Sequence, residues 1–491
     1  MTPRFVVIGA GVSGMSAALL LARHGYAVTL VEKFPLPAPT LRGFFRQGAY
    51  FDTGLHYLGA FGPGEILDTY FRALGLTGLE RRPYAADGFD CIRYPSLNAE
   101  FRIPAGYDRA LETLGAAFPH EIPAIRTYLA AVRKEFDASP FLNPDRPFRS
   151  AGLAAIGDSS TLAGYLDSLT DDALLKSVLS VHCLLHGVSP REVAFAHHAR
   201  VVGSYLQSVH GVAGGGLSLV RAFECALRAA SVELRCGHGA RRILLDSAGA
   251  VRAVETSDGC VIETRGVLCT AHPKFLPELA PEGFRPAYRR RIRALMDTPS
   301  AYMLFGLSKP VGALEGRNLF ICPETDVAAF FRPGRTPEEG PFYAVSGAEA
   351  GNGRRTVTVI APGYMDDVAQ WADSRPGKRP GEYGRHKRVR LKAMAGAVLR
   401  HAPELAGVSF VDGATPLTLR DFMHAPAGSL YGAGHTAGQF NPAPVTRIPG
   451  LWAAGQGVVA PGVLGAVVSA FLACGCVIGH DILREEVRAC R

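Results

Sequence analysis

At 491 residues, 48% apolar and 20% charged, the chain is long enough for about three folding units and too apolar to be disordered. Its 56 glycines follow no triplet period, which excludes collagen and suits close backbone approach to a ligand. The net charge of +8 is mild and interspersed with acidic residues, which argues against a nucleic-acid partner; the basic runs, Arg289-Arg290-Arg291 with Arg293 and 378–392, better suit a solvated face or an anionic membrane surface.

The first 33 residues have a clear grammar. Phe5-Val6-Val7-Ile8 is a short apolar run, as in a parallel strand buried on both faces. Gly9-Ala10-Gly11-Val12-Ser13-Gly14 follows, then a helix-forming stretch over 15–24 that Gly25 stops. Ala27-Val28-Thr29-Leu30-Val31 is the next strand, with Glu32 at its end and Lys33 after it. Gly-x-Gly-x-x-Gly alone is a weak signal. Between a strand and a helix, with an acid 18 positions beyond Gly14, it is the dinucleotide fingerprint. Gly9 permits the tight turn, Gly11 lets backbone N–H groups approach a pyrophosphate, and Gly14 allows close helix–strand packing. Glu32 is placed to accept hydrogen bonds from ribose hydroxyls.

Residues 106–200 read as mainly helical, with amphipathic stretches over 107–118 and 122–136. The run Gly211 to Gly216 breaks that pattern and a helix follows over 217–230. Strands are expected over 232–235, 240–245 and 251–257, with a hairpin turn at Asp258-Gly259, and another over 267–271. Residues 286–410 mix strands, such as 356–361, with a helix over 387–401. A late strand over 451–455 opens into the apolar stretch 458–479. That stretch is long enough to span a bilayer, but Pro461, Gly462, Gly465 and Gly475 make it a loop plus a buried helix. No long linker or internal repeat is present, so the segments must interleave. None of the ten cysteines forms a Cys-x-x-Cys pair; in a chain of this length without a leader-like start they read as reduced thiols of a cytoplasmic protein.

Nineteen residues beyond Glu32 begins Phe51-Asp52-Thr53-Gly54-Leu55-His56-Tyr57-Leu58-Gly59. It resembles the retinol saturase (all-trans-retinol 13,14-reductase) and carotenoid cis–trans isomerase branch of the phytoene-desaturase-like flavoproteins. The resemblance continues at Gly214-Gly215-Gly216-Leu217-Ser218-Leu219, at 243–249, at 415–418, at 428–435 and at 451–466, where Gly455-Gln456 and Pro461-Gly462-Val463-Leu464-Gly465-Ala466 look like a closing flavin motif. It implies an α/β fold: a Rossmann-like FAD-binding domain from 1–75, 205–285 and 415–491, and an interleaved α+β substrate domain from 76–204 and 286–414. It implies FAD held by Gly9, Ala10, Gly11, Val12, Ser13, Gly14, Glu32, Lys33, Gly54, Ala240, Gly455, Gln456, Gly462, Val463 and Leu464. It also implies redox change or isomerisation at a carbon–carbon double bond of a hydrophobic polyene or isoprenoid, with peripheral attachment to the inner face of a membrane. A flavin amine oxidase and a non-catalytic prenyl carrier of the GDP-dissociation-inhibitor type are the alternatives.

Two departures from the branch stand out. Ala38-Pro39 occupies the place of its Gly-Gly pair, and Gly457 the place of an Asp after Gly-Gln. Proline has no N–H to offer, so Arg42 and Arg46 are candidates to replace lost phosphate contacts. His56 is the candidate catalytic residue, as a proton donor titrating near neutrality or as a structural group beneath the cofactor. Asp52 is expected to hold a turn. Tyr431 and His435 are candidates for the cavity wall or the core. His182 and His186 have i, i+4 spacing and His197-His198 are adjacent, but no acidic third ligand accompanies them, so no metal site is expected.

Overall fold

The Phe5–Ile8 run has no polar face, and it becomes the centre of a five-stranded parallel sheet. In the computed structural model, which describes residues 3–148 and 160–491, the strand order is Glu233–Cys236, Ala27–Glu32, Arg4–Ile8, Gly266–Cys269, Leu451–Ala453. The register pairs Phe5 with Val28 on one side and Gly266 on the other. Three segments hundreds of residues apart therefore build one sheet, as the absence of linkers requires.

The Val12–Arg23 helix follows the glycine turn and buries Met15, Leu19, Leu20 and Leu21 almost completely. Each such side chain contributes about 1.5–3 kcal/mol through the hydrophobic effect. Its partner is the Gly462–Ile478 helix, apolar on nearly all sides and buried from Val467 to Gly475. Ser13 Oγ ties the two together by donating to the Ala466 carbonyl at 2.6 Å. The apolar stretch 458–479 is thus a loop plus an interior helix. No described helix is long and apolar enough to cross a membrane.

A second, seven-stranded mixed sheet runs Ser409–Ala414, Ser300–Ser308, Arg354–Gly363, Phe342–Ala350, Asn318–Ile321, Asp90–Tyr94, Ala99–Ile103. Only Asn318–Ile321 and Asp90–Tyr94 pair in parallel. The Gly381–His401 helix packs on it through Met394, Ala397 and Val398 and starts six residues before its expected position at 387. The helices Tyr107–Ala117 and Ile122–Ala138 lie where expected; the part of the helical reading at 149–159 falls outside the described residues. The hairpin at Asp258-Gly259 joins Val251–Thr256 to Val261–Glu263. The strand Val209–Val212, which runs into the glycine break, was not expected; it pairs with Leu58–Gly59 and Arg81–Pro83.

Candidate active site

A cavity of about 1510 Å³ runs from the glycine turn, past the carboxyl ends of the parallel strands, to the second sheet. That exceeds the roughly 300–1,000 Å³ of ordinary small-molecule sites and suits a dinucleotide together with a substrate.

The wall begins at Gly9, Gly11, Val12 and Ser13. A Cβ on Gly11 would stand in open space, so the cavity reaches the backbone there. The Val12–Arg23 helix has no side-chain cap and no acid in its first turn, leaving its N–H groups and positive dipole end for an anion. Ala10 and Gly14 do not line the cavity, which corrects their assignment as contacts. Ala10 is wholly buried and its N–H already donates to Glu32 Oε2 at 2.7 Å. Gly14 faces the Gly9 carbonyl, where a Cβ would come within 1.7 Å. Glu32 Oε1 accepts from Phe34 N–H at 2.9 Å, which fixes the carboxylate at the wall beside Lys33 and Ala240. Each oxygen keeps a lone pair for a ribose hydroxyl.

At the other end, Gly455, Gln456, Gly462, Val463 and Leu464 line the cavity. Gly455 has φ +115°, and its N–H donates to Ser469 Oγ at 2.8 Å. The Gly462–Ile478 helix also opens onto the cavity uncapped and without an acid in its first turn. Two bare helix N-termini facing one cavity fit a phosphate at one and a ring that gains negative charge at the other.

The departures have local explanations. Ala38 sits at φ +53°, the left-handed conformation that its glycine counterpart would adopt freely. The turn survives: Ala38 N–H donates to the Ala10 carbonyl at 2.8 Å, and Ala38 is fully buried. The strain of about 1–2 kcal/mol is offset in part by the buried methyl. At Gly457 a Cβ would lie 2.9 Å from Pro273 Cδ, so an Asp has no room there. Arg42 and Arg46 are not free for phosphate. Arg42 donates to Glu224 Oε1 and the Pro37 carbonyl, each at 2.9 Å, and Arg46 Nε donates to Asp412 at 2.8 Å. Both correct the expectation, because each guanidinium already has a carboxylate partner.

His56 and Gly54 lie on the wall. Burial, with Arg82 adding repulsion, pulls the His56 imidazole down to about 4. It is neutral at pH 7, so the expected titration near neutrality is corrected: desolvation outweighs any stabilisation of the cation. Its Nε2 has no hydrogen-bond partner and is shielded from solvent. Tyr431 and His435 both line the cavity; His435 Nε2 meets the Gln456 carbonyl at 2.7 Å.

Asp52 does hold a turn, though of a different element. Its Oδ1 accepts from Gly216 N–H at 2.7 Å and Tyr50 OH at 2.9 Å, at the start of the Gly215–Ala229 helix. The helix end favours the carboxylate, yet burial wins and raises it to about 6. The folded value lies above the ordinary carboxyl value of 3.8, so the native state holds the proton more tightly than the unfolded one. The corresponding stability is full below about pH 4 and is lost as pH rises through about 6, by about 3 kcal/mol at most. Urea unfolding of the wild type and Asp52→Asn across that window is expected to show a falling slope in the wild type that the variant lacks.

Sequence reading missed the aromatic wall. Tyr57, Tyr205, Tyr343 and Phe320 line the cavity beside Leu184 and Leu185. Burial raises all three phenols well above their ordinary range, and Tyr431 to about 12, so they are neutral at pH 7. Thr270, Ala271 and His272 were also missed, although they follow a parallel strand's carboxyl end, where ligands bind in open α/β sheets. The acidic residues on the wall are Glu32 and Glu278.

Residues 4–448 match the family model described as "FAD dependent oxidoreductase". The chain belongs to this family. The FAD-dependent oxidoreductase is 25% identical over 534 aligned positions to the human all-trans-retinol 13,14-reductase, covering 98% of this chain and 86% of that protein. It is 26% identical to the hydroxyneurosporene desaturase of Rubrivivax gelatinosus, covering 98% and 94%. In structure it is similar to an oxidoreductase from Methanosarcina mazei, with a TM-score of 0.68, 15% identity and coverage of 95% and 98%. FAD is its cofactor and the open glycine turn fits it; the match places the chain among enzymes, not with the carriers considered as an alternative.

Proposed function

We propose that this FAD-dependent oxidoreductase acts on a carbon–carbon double bond of a hydrophobic polyene or isoprenoid, by saturation, desaturation or cis–trans isomerisation. The observation that carries the reading is the wall facing the second sheet: neutral tyrosines, Phe320 and leucines. Leu184, Leu185 and Phe320 on that wall suit a long apolar chain. The relatives named above for retinol and hydroxyneurosporene support the same class.

The FAD-binding unit comprises 1–75, 205–285 and 415–491, and the substrate unit 76–204 and 286–414. Gly9, Gly11, Val12 and Ser13 would hold the pyrophosphate, Glu32 and Ala240 the adenosine, and Gly455, Gln456 and Gly462 to Leu464 the ring end. Bound FAD supplies two-electron redox chemistry. The chain's own part is to exclude water and align the polyene against Tyr57, Tyr205 and Tyr343. Tyr431 holds its phenolic proton, while neutral His56 packs as a wall group. Phe440, 62% exposed at the cavity rim, carries the Arg291 guanidinium 4.8 Å above its ring. That pairing suits an entrance on an anionic membrane surface.

The test is spectroscopic. The purified protein should show an oxidised-flavin spectrum, and a C20 or C40 polyene should change in mass or geometry under reducing or oxidising conditions. Turnover of amines with none of any polyene would sink the reading.

A further inference from the structure

Behind the cavity wall, three potential metal ligands converge, two from one turn and its end and one from the helix that follows. Cys183 belongs to the turn Val181–Leu185, His186 follows it, and His198 sits on the Phe195–Gln207 helix. Cys183 and His198 are 0% exposed and His186 is 1% exposed. His186 Nε2 lies 3.1 Å from His198 Nδ1, and Cys183 Sγ lies 3.8 Å from the same atom. All three donor atoms fall within 4.8 Å of one another. A cation at ordinary bond lengths, about 2.0 Å to nitrogen and 2.3 Å to sulfur, needs ligand separations near these. The fold thus supplies the third ligand that sequence spacing did not, and it is a thiol where an acid was sought.

The surroundings match a ligand set. Tyr128 OH meets His198 Nε2 at 3.2 Å, which fixes that ring with Nδ1 turned inward. His186 Nδ1 is not one of the three converging atoms and has no partner, so an outer hydrogen bond orients the His198 ring alone. His182, which has the helical spacing to His186, is engaged elsewhere, on Asp90.

We infer that Cys183, His186 and His198 form a buried binding site for a soft monovalent cation, Cu(I). The choice follows from charge and softness. One thiolate and two neutral imidazoles balance a single positive charge, whereas a divalent ion would leave a net charge in a site with no solvent. Binding exchanges the Cys183 thiol proton for the cation. The proton leaves to solvent, and no electron is transferred. The consequence is mechanical: Leu184 and Leu185 on the turn and His197 on the helix all line the cavity, so the ion would pin that part of the wall together.

The experiment uses the full-length flavoprotein expressed with added copper and purified without oxygen. Copper and zinc per chain are measured by mass spectrometry, before and after dialysis against a Cu(I) chelator. The expected result is about one copper per chain that survives the chelator, with X-ray absorption showing one sulfur and two nitrogens. Cys183→Ser should lose the copper while retaining FAD. Cys474→Ser, at a buried thiol elsewhere, should keep it. If Cys183→Ser does not fold, His186→Gln serves the same purpose. Copper absent from the wild type, zinc in its place, or copper unchanged in the folded variants would each overturn the inference.

Discussion

Gly14→Ala is expected to abolish FAD retention and to lower stability by at least about 3 kcal/mol, more than most overpacking substitutions cost. The added Cβ would lie 1.7 Å from the Gly9 carbonyl oxygen and 2.9 Å from its carbon. Neither atom can swing away. Gly9 N–H is bonded to the Val31 carbonyl at 2.8 Å, and its own oxygen accepts from Thr270 Oγ1 at 3.1 Å. The helix must therefore lift off the sheet, taking Met15, Leu19 and Leu20 out of the core. Gly11→Ala provides the contrast. Gly11 has φ −76°, which any residue adopts, and its Cβ would meet nothing within 4 Å. Its methyl enters the cavity, so FAD content should fall while the midpoint of urea unfolding of the flavin-free protein stays within about 0.5 kcal/mol of wild type. Equal loss of stability in both variants would show that the cavity does not reach the turn. Absorbance per chain and urea unfolding are the two measurements.

The contrast marks what was legible in the sequence. Gly9, Gly11, Gly14 and Glu32 act within one strand–turn–helix–strand unit, so their spacing encodes their geometry. The closing segment at 451–466 was legible through resemblance, and its helix through an apolar run interrupted by proline and glycine. The division of labour inside the glycine motif was less so: that Ala10 spends its N–H on Glu32 depends on how the carboxylate folds back. The aromatic wall was illegible for a different reason. Tyr57, Tyr205 and Tyr343 come from three segments that meet only when the second sheet forms, and a lone tyrosine in sequence looks the same in a core as on a wall. His56 showed the right residue type at the right place, but its titration is set by burial, which no local pattern reports. The thiol at Cys183 was read only as a reduced core cysteine, because its partners lie across a turn and a helix.

Asp90→Ala is the second large effect, and it tests how the aromatic wall is held. Asp90 is fully buried at the start of the Asp90–Tyr94 strand. Its carboxylate accepts from Tyr57 OH at 3.2 Å, faces His182 Nε2 at 2.8 Å, and accepts from Asn318 Nδ2 at 2.7 Å. Alanine leaves Tyr57 OH, His182 Nε2 and Asn318 Nδ2 buried without this acceptor, while Asn318 Oδ1 keeps Tyr84 OH. At about 1–3 kcal/mol each, discounted for relaxation, the expected loss is about 4–6 kcal/mol, a large share of a domain's whole stability. Asp90→Asn keeps an acceptor for Asn318, and His182 and Tyr57 can each reverse donor and acceptor roles, so it should cost about 1–3 kcal/mol. The Asn variant is the informative one for function. It should fold and keep FAD, because Asp90 touches no part of the glycine turn, while loosening Tyr57 on the cavity wall. The expected signature is a raised KM for a polyene with flavin content unchanged. Loss of flavin in Asp90→Asn at wild-type stability would instead place Asp90 in cofactor binding, and an unchanged KM would remove Tyr57 from the substrate's path.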